Sequence, residues 1–257
     1  MEYKNIILAK KENYIAVITL NRPDRMNAIS QDTLQELISA FRQVDQDDDV
    51  RVLIITGAGK GFCSGADVTE MPGGGAPRQD VLGSTIMRRL RMIRKPVIAM
   101  VNGPAVGGGA ALAFGCDIRI GSPNCRFMNA FVKRGLSSGW GGPWLYPRLM
   151  GLGKAMEILL TGDFLEAAEA ERIGVLNKLV PADQLEKETM TLATKIAKGA
   201  PVAIRETKRR VYEGLESDFQ TGLQSADEGE IVCVATEDFR EGVRAFMEKR
   251  PPQFKGR

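Results

Sequence analysis

The chain has 257 residues with a formal net charge of +3 and 44% apolar residues, the profile of a globular protein that buries roughly 70–75% of its unfolded surface without staples. The charge is weak and dispersed, which argues against a nucleic-acid partner, and no apolar run approaches the ~18 residues of a membrane span. There is no histidine, so Ser-His-Asp and Cys-His nucleophilic systems are excluded and no transition-metal site is expected.

In chain order, Ile6–Ala9 and Ile15–Leu20 read as two strands around a turn at Lys10–Asn13. Asn21–Asn27 is a loop marked by Pro23 and two asparagines, and Ser30 caps a helix to about Asp47 with Leu34, Leu37, Ile38, Phe41 and Val44 on one face. Val52–Thr56 and Pro96–Val101 are continuous apolar runs, as in strands buried on both faces. Each is followed by a glycine-rich junction: Gly57–Gly65 after the first, and Gly103–Gly109, opening a helix, after the second. Met71–Pro77 is a second soft loop, followed by a basic helix through Arg94. Asp117–Gly121 and Arg126–Met128 read as further strands. Beyond Gly153 the pattern is helical at Ala155–Leu160, Ala167–Ile173, Asp183–Lys198, Pro201–Glu213 and Thr236–Lys249. Strand–helix alternation followed by helices predicts an α/β core with a helical C-terminal part. The tail from Arg250 to Arg257 is expected to be loose unless something holds it.

The four cysteines form no CxxC pair and no zinc pattern, which with the polar segment Met1–Lys11 predicts a reduced, cytoplasmic setting with no signal segment. Gly57-Ala-Gly-Lys-Gly61 fails the phosphate-loop frame because glycine, not Ser or Thr, follows Lys60. Open α/β sheets place ligands at the ends of buried strands, and unpaired N–H groups at a helix start favour an anion. The two junctions are therefore either tight structural turns or two N–H donors converging on one oxygen.

Four segments in order resemble the crotonase (enoyl-CoA hydratase/isomerase) superfamily over nearly the whole chain: Asn21–Ala28, Gly61-Phe-Cys-Ser-Gly-Ala-Asp67, Asn102–Gly109 with Cys116-Asp117, and Glu237–Phe254. The resemblance implies an α/β crotonase-like fold, repeated ββα units forming two roughly perpendicular sheets, with a helical C-terminal trimerisation region. The core would span 1–195 and the oligomerisation region 196–257. It implies a homotrimer or homohexamer acting on an acyl-CoA, with coenzyme A as part of the substrate and no separate cofactor. The oxyanion hole would be the N–H groups of Ala66 and Gly108. Coenzyme A or the substrate would lie along Arg25, Met26, Ala28, Ser64, Gly65, Ala66, Asp67, Val68, Gly107 and Gly108. Phe246, Phe254 or Lys255 would reach a neighbour's coenzyme A.

The pattern breaks at three positions where relatives carry carboxylates: this chain has Ala111, Phe131 and Gly139. Hydration needs a base for water and an acid for carbon, and neither Ala nor Phe supplies one. Isomerisation, decarboxylation or other enolate chemistry is thus expected over hydration. The alternatives are a silent CoA-binding or assembly protein, or a hydratase with relocated carboxylates. Glu70, Asp80 and Tyr146 are candidate bases whose structural reading is the stronger one, and Asp67 and Asp117 are read as loop-fixing. Phe131, Trp140 and Trp144 would make the acyl pocket apolar, or the tryptophans pack the core; Ser137 and Ser138 would orient a polar group or a water. Arg88, Arg89 and Arg91 meet phosphates or form a solvated helix face.

Overall fold

The computed structural model describes residues 3–70 and 82–257. The expected loop at Met71–Pro77 and the candidate base Asp80 lie outside the described residues.

The chain opens with an antiparallel pair, β1 (Ile6–Lys11) and β2 (Ile15–Leu20), then α1 (Gln31–Gln46), β3 (Val52–Gly57), α2 (Leu82–Arg91) and β4 (Val97–Val101). After β4 come β5 (Ala105–Val106), α3 (Gly108–Gly115), β6 (Ile118–Gly121), β7 (Arg126–Met128) and the long α4 (Gly142–Thr161). The remainder is β8 (Phe164–Glu166), α5 (Ala167–Arg172), β9 (Lys178–Leu179), α6 (Leu185–Ala197), α7 (Pro201–Gly214), α8 (Phe219–Val234) and α9 (Glu237–Met247). A six-stranded sheet has the order β1-β2-β3-β4-β6-β9, parallel from β2 onward; a three-stranded sheet has the order β5-β7-β8.

The large sheet is covered on both faces, and β3 shows why its sequence is apolar without alternation. All six of its residues are buried. Leu53 and Ile55 pack with Leu34, Leu37 and Phe41 of α1, while Val52 and Ile54 pack with Ile98, Ile120, Leu185 and Ala193 on the side of α6. Successive side chains point to opposite faces, so both sets must be apolar. The cap of α1 forms as expected: Ser30 Oγ accepts from Thr33 N at 3.1 Å, a contact worth about 1 kcal/mol. Leu34, Leu37, Phe41 and Val44 are buried on its inner face. α3 is buried along its length from Gly108 to Phe114, which suits a helix apolar all round.

The structure adds elements that pattern alone did not give. α4 begins at Gly142 rather than near Ala155, continuing past Pro147 and through a kink at Gly151 (φ 76°, ψ 160°). Those residues read as breakers in sequence. α8 has no buried apolar stripe, only Gly229, so it has no helical periodicity to find. It is held instead by its Asp218 cap (3.0 Å to Thr221 N) and by Arg210 of α7, which reaches Ser225 and Glu228. The C-terminal tail is tied down: Asp238 accepts from the N–H groups of Lys255 (2.6 Å) and Gly256 (2.7 Å), and Arg51 Nη2 donates to Phe254 O at 2.9 Å.

Candidate active site

The two glycine-rich junctions lie side by side. Cys63 and Ala105 form a parallel bridge, with Cys63 N donating to Pro104 O (3.2 Å) and Val106 N to Cys63 O (2.9 Å). The contact continues at Gly65, which has φ +92°: a Cβ built there would lie 2.7 Å from Val106 O and 3.0 Å from Gly108 N. Glycine is therefore required by both conformation and space. Gly107 turns the chain into α3 with φ 55° and donates its own N–H to Met128 O at 2.8 Å. Among the described residues, neither Ala66 N nor Gly108 N donates to a protein acceptor. Gly108 N is one of the orphan donors of the first turn of α3, at the positive end of its dipole.

The early loop is zipped onto the first junction. Ser64 N donates to Met26 O (2.9 Å), Ser64 Oγ to Arg25 O (3.3 Å), Ile29 N to Gly65 O (2.7 Å) and Asp67 N to Ile29 O (3.0 Å). Arg25, Met26, Ala28, Ser64 and Val68 thus share one seam, with Ala28 buried and Met26 and Val68 exposed. The organiser of the seam is Asn27, which sequence reading took only as a loop marker. It is buried at φ 57°, donates to Gly61 O (2.8 Å) and Ala58 O (2.9 Å), and accepts from Arg22 N (3.0 Å). Asparagine tolerates this left-handed backbone while offering both a donor and an acceptor. Asp67 is buried against Arg22 Nη1 at 2.9 Å; hydrogen bonds from Thr69, with that guanidinium, hold its carboxyl below the usual carboxylate range. Its loop-fixing role is evident.

The wall beyond Gly108 is aromatic. Phe131 Cε2 lies 3.9 Å from a Cβ built on Gly107, and its Cε1 lies 3.4 Å from one built on Gly139. Trp140 is buried, and its indole fills the space between the start of α2 at Gly83 and the start of α3, where a Cβ on Gly108 would meet Cδ2 and Cε2 at 2.8 Å. It takes φ 55°, costing roughly 1–3 kcal/mol for a bulky residue. Ser138 Oγ accepts from Asn129 Nδ2 at 2.9 Å, while Ser137 is exposed. Trp144 is stacked under Arg148 (4.1 Å) and Arg91 (5.0 Å). Arg91 also lies 3.2 Å over the Tyr212 ring and is half-buried, whereas Arg88 and Arg89 are exposed.

No carboxylate stands at the three empty positions: Ala111 is buried in the middle of α3, and Phe131 and Gly139 face one another. Glu70 Oε2 accepts from Gln31 N at 2.8 Å, at the start of α1. Asp117 is taken up by Val97 N (2.7 Å), Tyr212 OH (2.5 Å) and Lys208 Nζ (2.7 Å). Tyr146 packs edge-on to Phe114 with ring centroids 4.9 Å apart; burial pushes its phenol well above the ordinary range, against a smaller lowering by Asn129. Phe254 sits against Gly242 in the C-terminal helices, apart from the residues gathered round Gly108.

Residues 10–257 match the enoyl-CoA hydratase/isomerase family. A short-chain-enoyl-CoA hydratase of Clostridium acetobutylicum is 41% identical over 97% of each chain. A 1,2-epoxyphenylacetyl-CoA isomerase of Escherichia coli is 36% identical over 98% of each. A crystal structure of enoyl-CoA hydratase from Bacillus anthracis superposes with a TM-score of 0.94 at 35% identity, covering 99% of this chain and 100% of that one. With two sheets, an α/β core and this site between the junctions, the chain belongs to the enoyl-CoA hydratase/isomerase family of the crotonase superfamily.

Proposed function

We propose that this protein binds an acyl-CoA thioester, polarises its carbonyl between the N–H groups of Ala66 and Gly108, and carries out enolate chemistry other than hydration. The observation that carries this reading is the pair of unpartnered amides on two adjoining junctions, next to positions 111, 131 and 139 that hold no carboxylate. Each such donor contributes roughly 3–4 kcal/mol where charge develops on the oxygen. The seam of Arg25, Met26, Ala28, Ser64 and Val68 would carry coenzyme A, and Phe131, Ser138 and Trp140 would bound the acyl group. Decarboxylation needs little beyond this, since carbon dioxide leaves as the enolate forms. Isomerisation would require a base that is not Glu70, Asp67 or Asp117, all engaged elsewhere.

No described helix is long and apolar enough to cross a membrane. A cytoplasmic homotrimer or hexamer is part of the proposal. The oligomer is supported by exposed apolar side chains on α8 and α9, among them Phe219 and Phe246, each 83% exposed. The test is a mass-spectrometric screen of crotonyl-, 3-enoyl- and methylmalonyl-CoA. Turnover of the second or third with negligible hydration of the first supports the proposal. Fast hydration of crotonyl-CoA overturns it, and binding without any turnover favours a silent CoA-binding protein.

A further inference from the structure

The hydroxyl of Ser138, beside the aromatic wall, is hydrogen-bonded in one direction. Its Oγ accepts from Asn129 Nδ2 at 2.9 Å, and among the described residues it has no acceptor for its own proton. Asn129 is buried and follows Met128, whose carbonyl accepts from Gly107 N at 2.8 Å. The amide that holds Ser138 is therefore anchored to the turn that presents Gly108. A second route leads to the same place: Gly139, next to Ser138, faces Phe131, and Phe131 faces Gly107. Gly142 opens α4 against the pair, and a Cβ there would run into Ser138 Oγ, so glycine leaves the hydroxyl its room. Ser138 is half-buried, held in place but not sealed in.

We infer that Ser138 is a specificity-determining donor for an oxygen carried on the acyl chain, a keto group or a carboxylate, with Asn129 as its positioning residue. The inference rests on the acyl-CoA reading above. A serine hydroxyl has one proton to give, and an amide nitrogen can only donate. With Asn129 Nδ2 donating to it, the Ser138 oxygen acts as acceptor on that side and turns its proton away from the amide, toward whatever occupies the site. Phe131, the neighbour of Gly139 on this wall, offers that proton no polar atom. A plain alkyl chain that displaces water here leaves the proton unpaired, whereas a chain bearing an acceptor oxygen replaces the water. A site that offers a hydrogen bond discriminates against the analogue that cannot take it.

Isothermal titration of two isosteric pairs tests the donor: acetoacetyl-CoA with isovaleryl-CoA, and succinyl-CoA with isocaproyl-CoA, in each of which oxygen takes the place of methyl. The affinity ratio within a pair is compared between wild type and variant, which cancels the ordinary difference between oxygen and methyl. In Ser138→Ala the acetoacetyl-to-isovaleryl ratio falls about five-fold where the oxygen is a keto group, or the succinyl-to-isocaproyl ratio falls about ten-fold or more where it is a carboxylate, the scales of a neutral and a charged hydrogen bond. Ser138→Thr, which keeps the donor, restores the responding ratio to within about two-fold of wild type. Asn129→Asp, whose carboxylate draws the hydroxyl proton to itself, lowers the same ratio although Ser138 is present. Should that variant fail to fold, Asn129→Ala, which frees the hydroxyl to rotate, lowers the ratio about two-fold or more. Ratios unchanged for both pairs in a folded Ser138→Ala protein that binds the thioesters overturn the donor, and a ratio unchanged in a folded Asn129 variant overturns the positioning role. Wild type that binds none of the four thioesters overturns the acyl-CoA reading, and the donor falls with it.

Discussion

The indole of Trp140 rests on the Cα of Gly108, so closely that a Cβ on Gly108 would meet two of its ring carbons at 2.8 Å. An aromatic plate thus lies directly against the helix start whose amide is the proposed oxyanion donor. Gly108→Ala must displace either the indole or the first turn of α3. We expect turnover of the thioester substrate to fall by about 100-fold, the size of losing one oxyanion donor, with a cooperative melt retained. Unchanged turnover in a folded Gly108→Ala protein would remove this amide from the mechanism.

The Arg22–Asp67 pair links the early loop to the first junction, and its pH dependence has a definite sign. The Asp67 carboxyl titrates below its unfolded value of about 3.9 because Thr69 and Arg22 stabilise the charged form. Its contribution is therefore complete above that unfolded value and is lost as pH falls through the lowered folded one. Replacement by Asn is expected to cost about 1.5–3 kcal/mol in urea unfolding at pH 6, a gap that narrows below about pH 4. A gap that stays constant from pH 6 to pH 3 contradicts this account.

Glu70 accepts a hydrogen bond from Gln31 N at the start of α1, and we expect it to act there and not as a base. Glu70→Gln should lower stability by less than about 1 kcal/mol, the scale of an exposed charge at a helix N-terminus, and leave turnover within two-fold. Loss of a fast crotonyl-CoA hydration in this variant would return Glu70 to the catalytic candidates.

Tyr146 is buried against Phe114, and desolvation holds its phenol in the neutral form. Tyr146→Phe should change the unfolding free energy by no more than about 1 kcal/mol, the scale of one neutral hydrogen bond, with turnover retained. A large drop in kcat would mean that the phenol takes part in proton transfer.

The thiols separate by burial. Cys63, Cys116 and Cys125 are buried, and desolvation pushes each up to about 12. Cys233 is half-buried. Titration of the native protein with an aromatic disulfide at pH 8 should find one reacting thiol, and four in denaturant. Two or more fast thiols in the native state would show that the core opens.

Local chemistry made much of this molecule legible. The apolar runs at Val52–Thr56 and Pro96–Val101 read as two-sided strands, Ser30 as a helix cap, and the glycine clusters as either tight turns or places of close approach. The missing carboxylates at 111, 131 and 139 are facts of composition at known positions. What the chain order could not state is which groups do the approaching. That Gly65 is small because Val106 O and Gly108 N are near, that Gly108 is small because Trp140 covers it, and that Asn27 clamps the carbonyl of Gly61 are pairings between segments far apart in sequence. α8 was likewise invisible, since its apolar residues stay exposed and leave no inward stripe. Period and propensity act over a few residues, whereas close packing and hydrogen bonding are decided only when distant segments meet, and there the tertiary structure alone assigned each residue its neighbour.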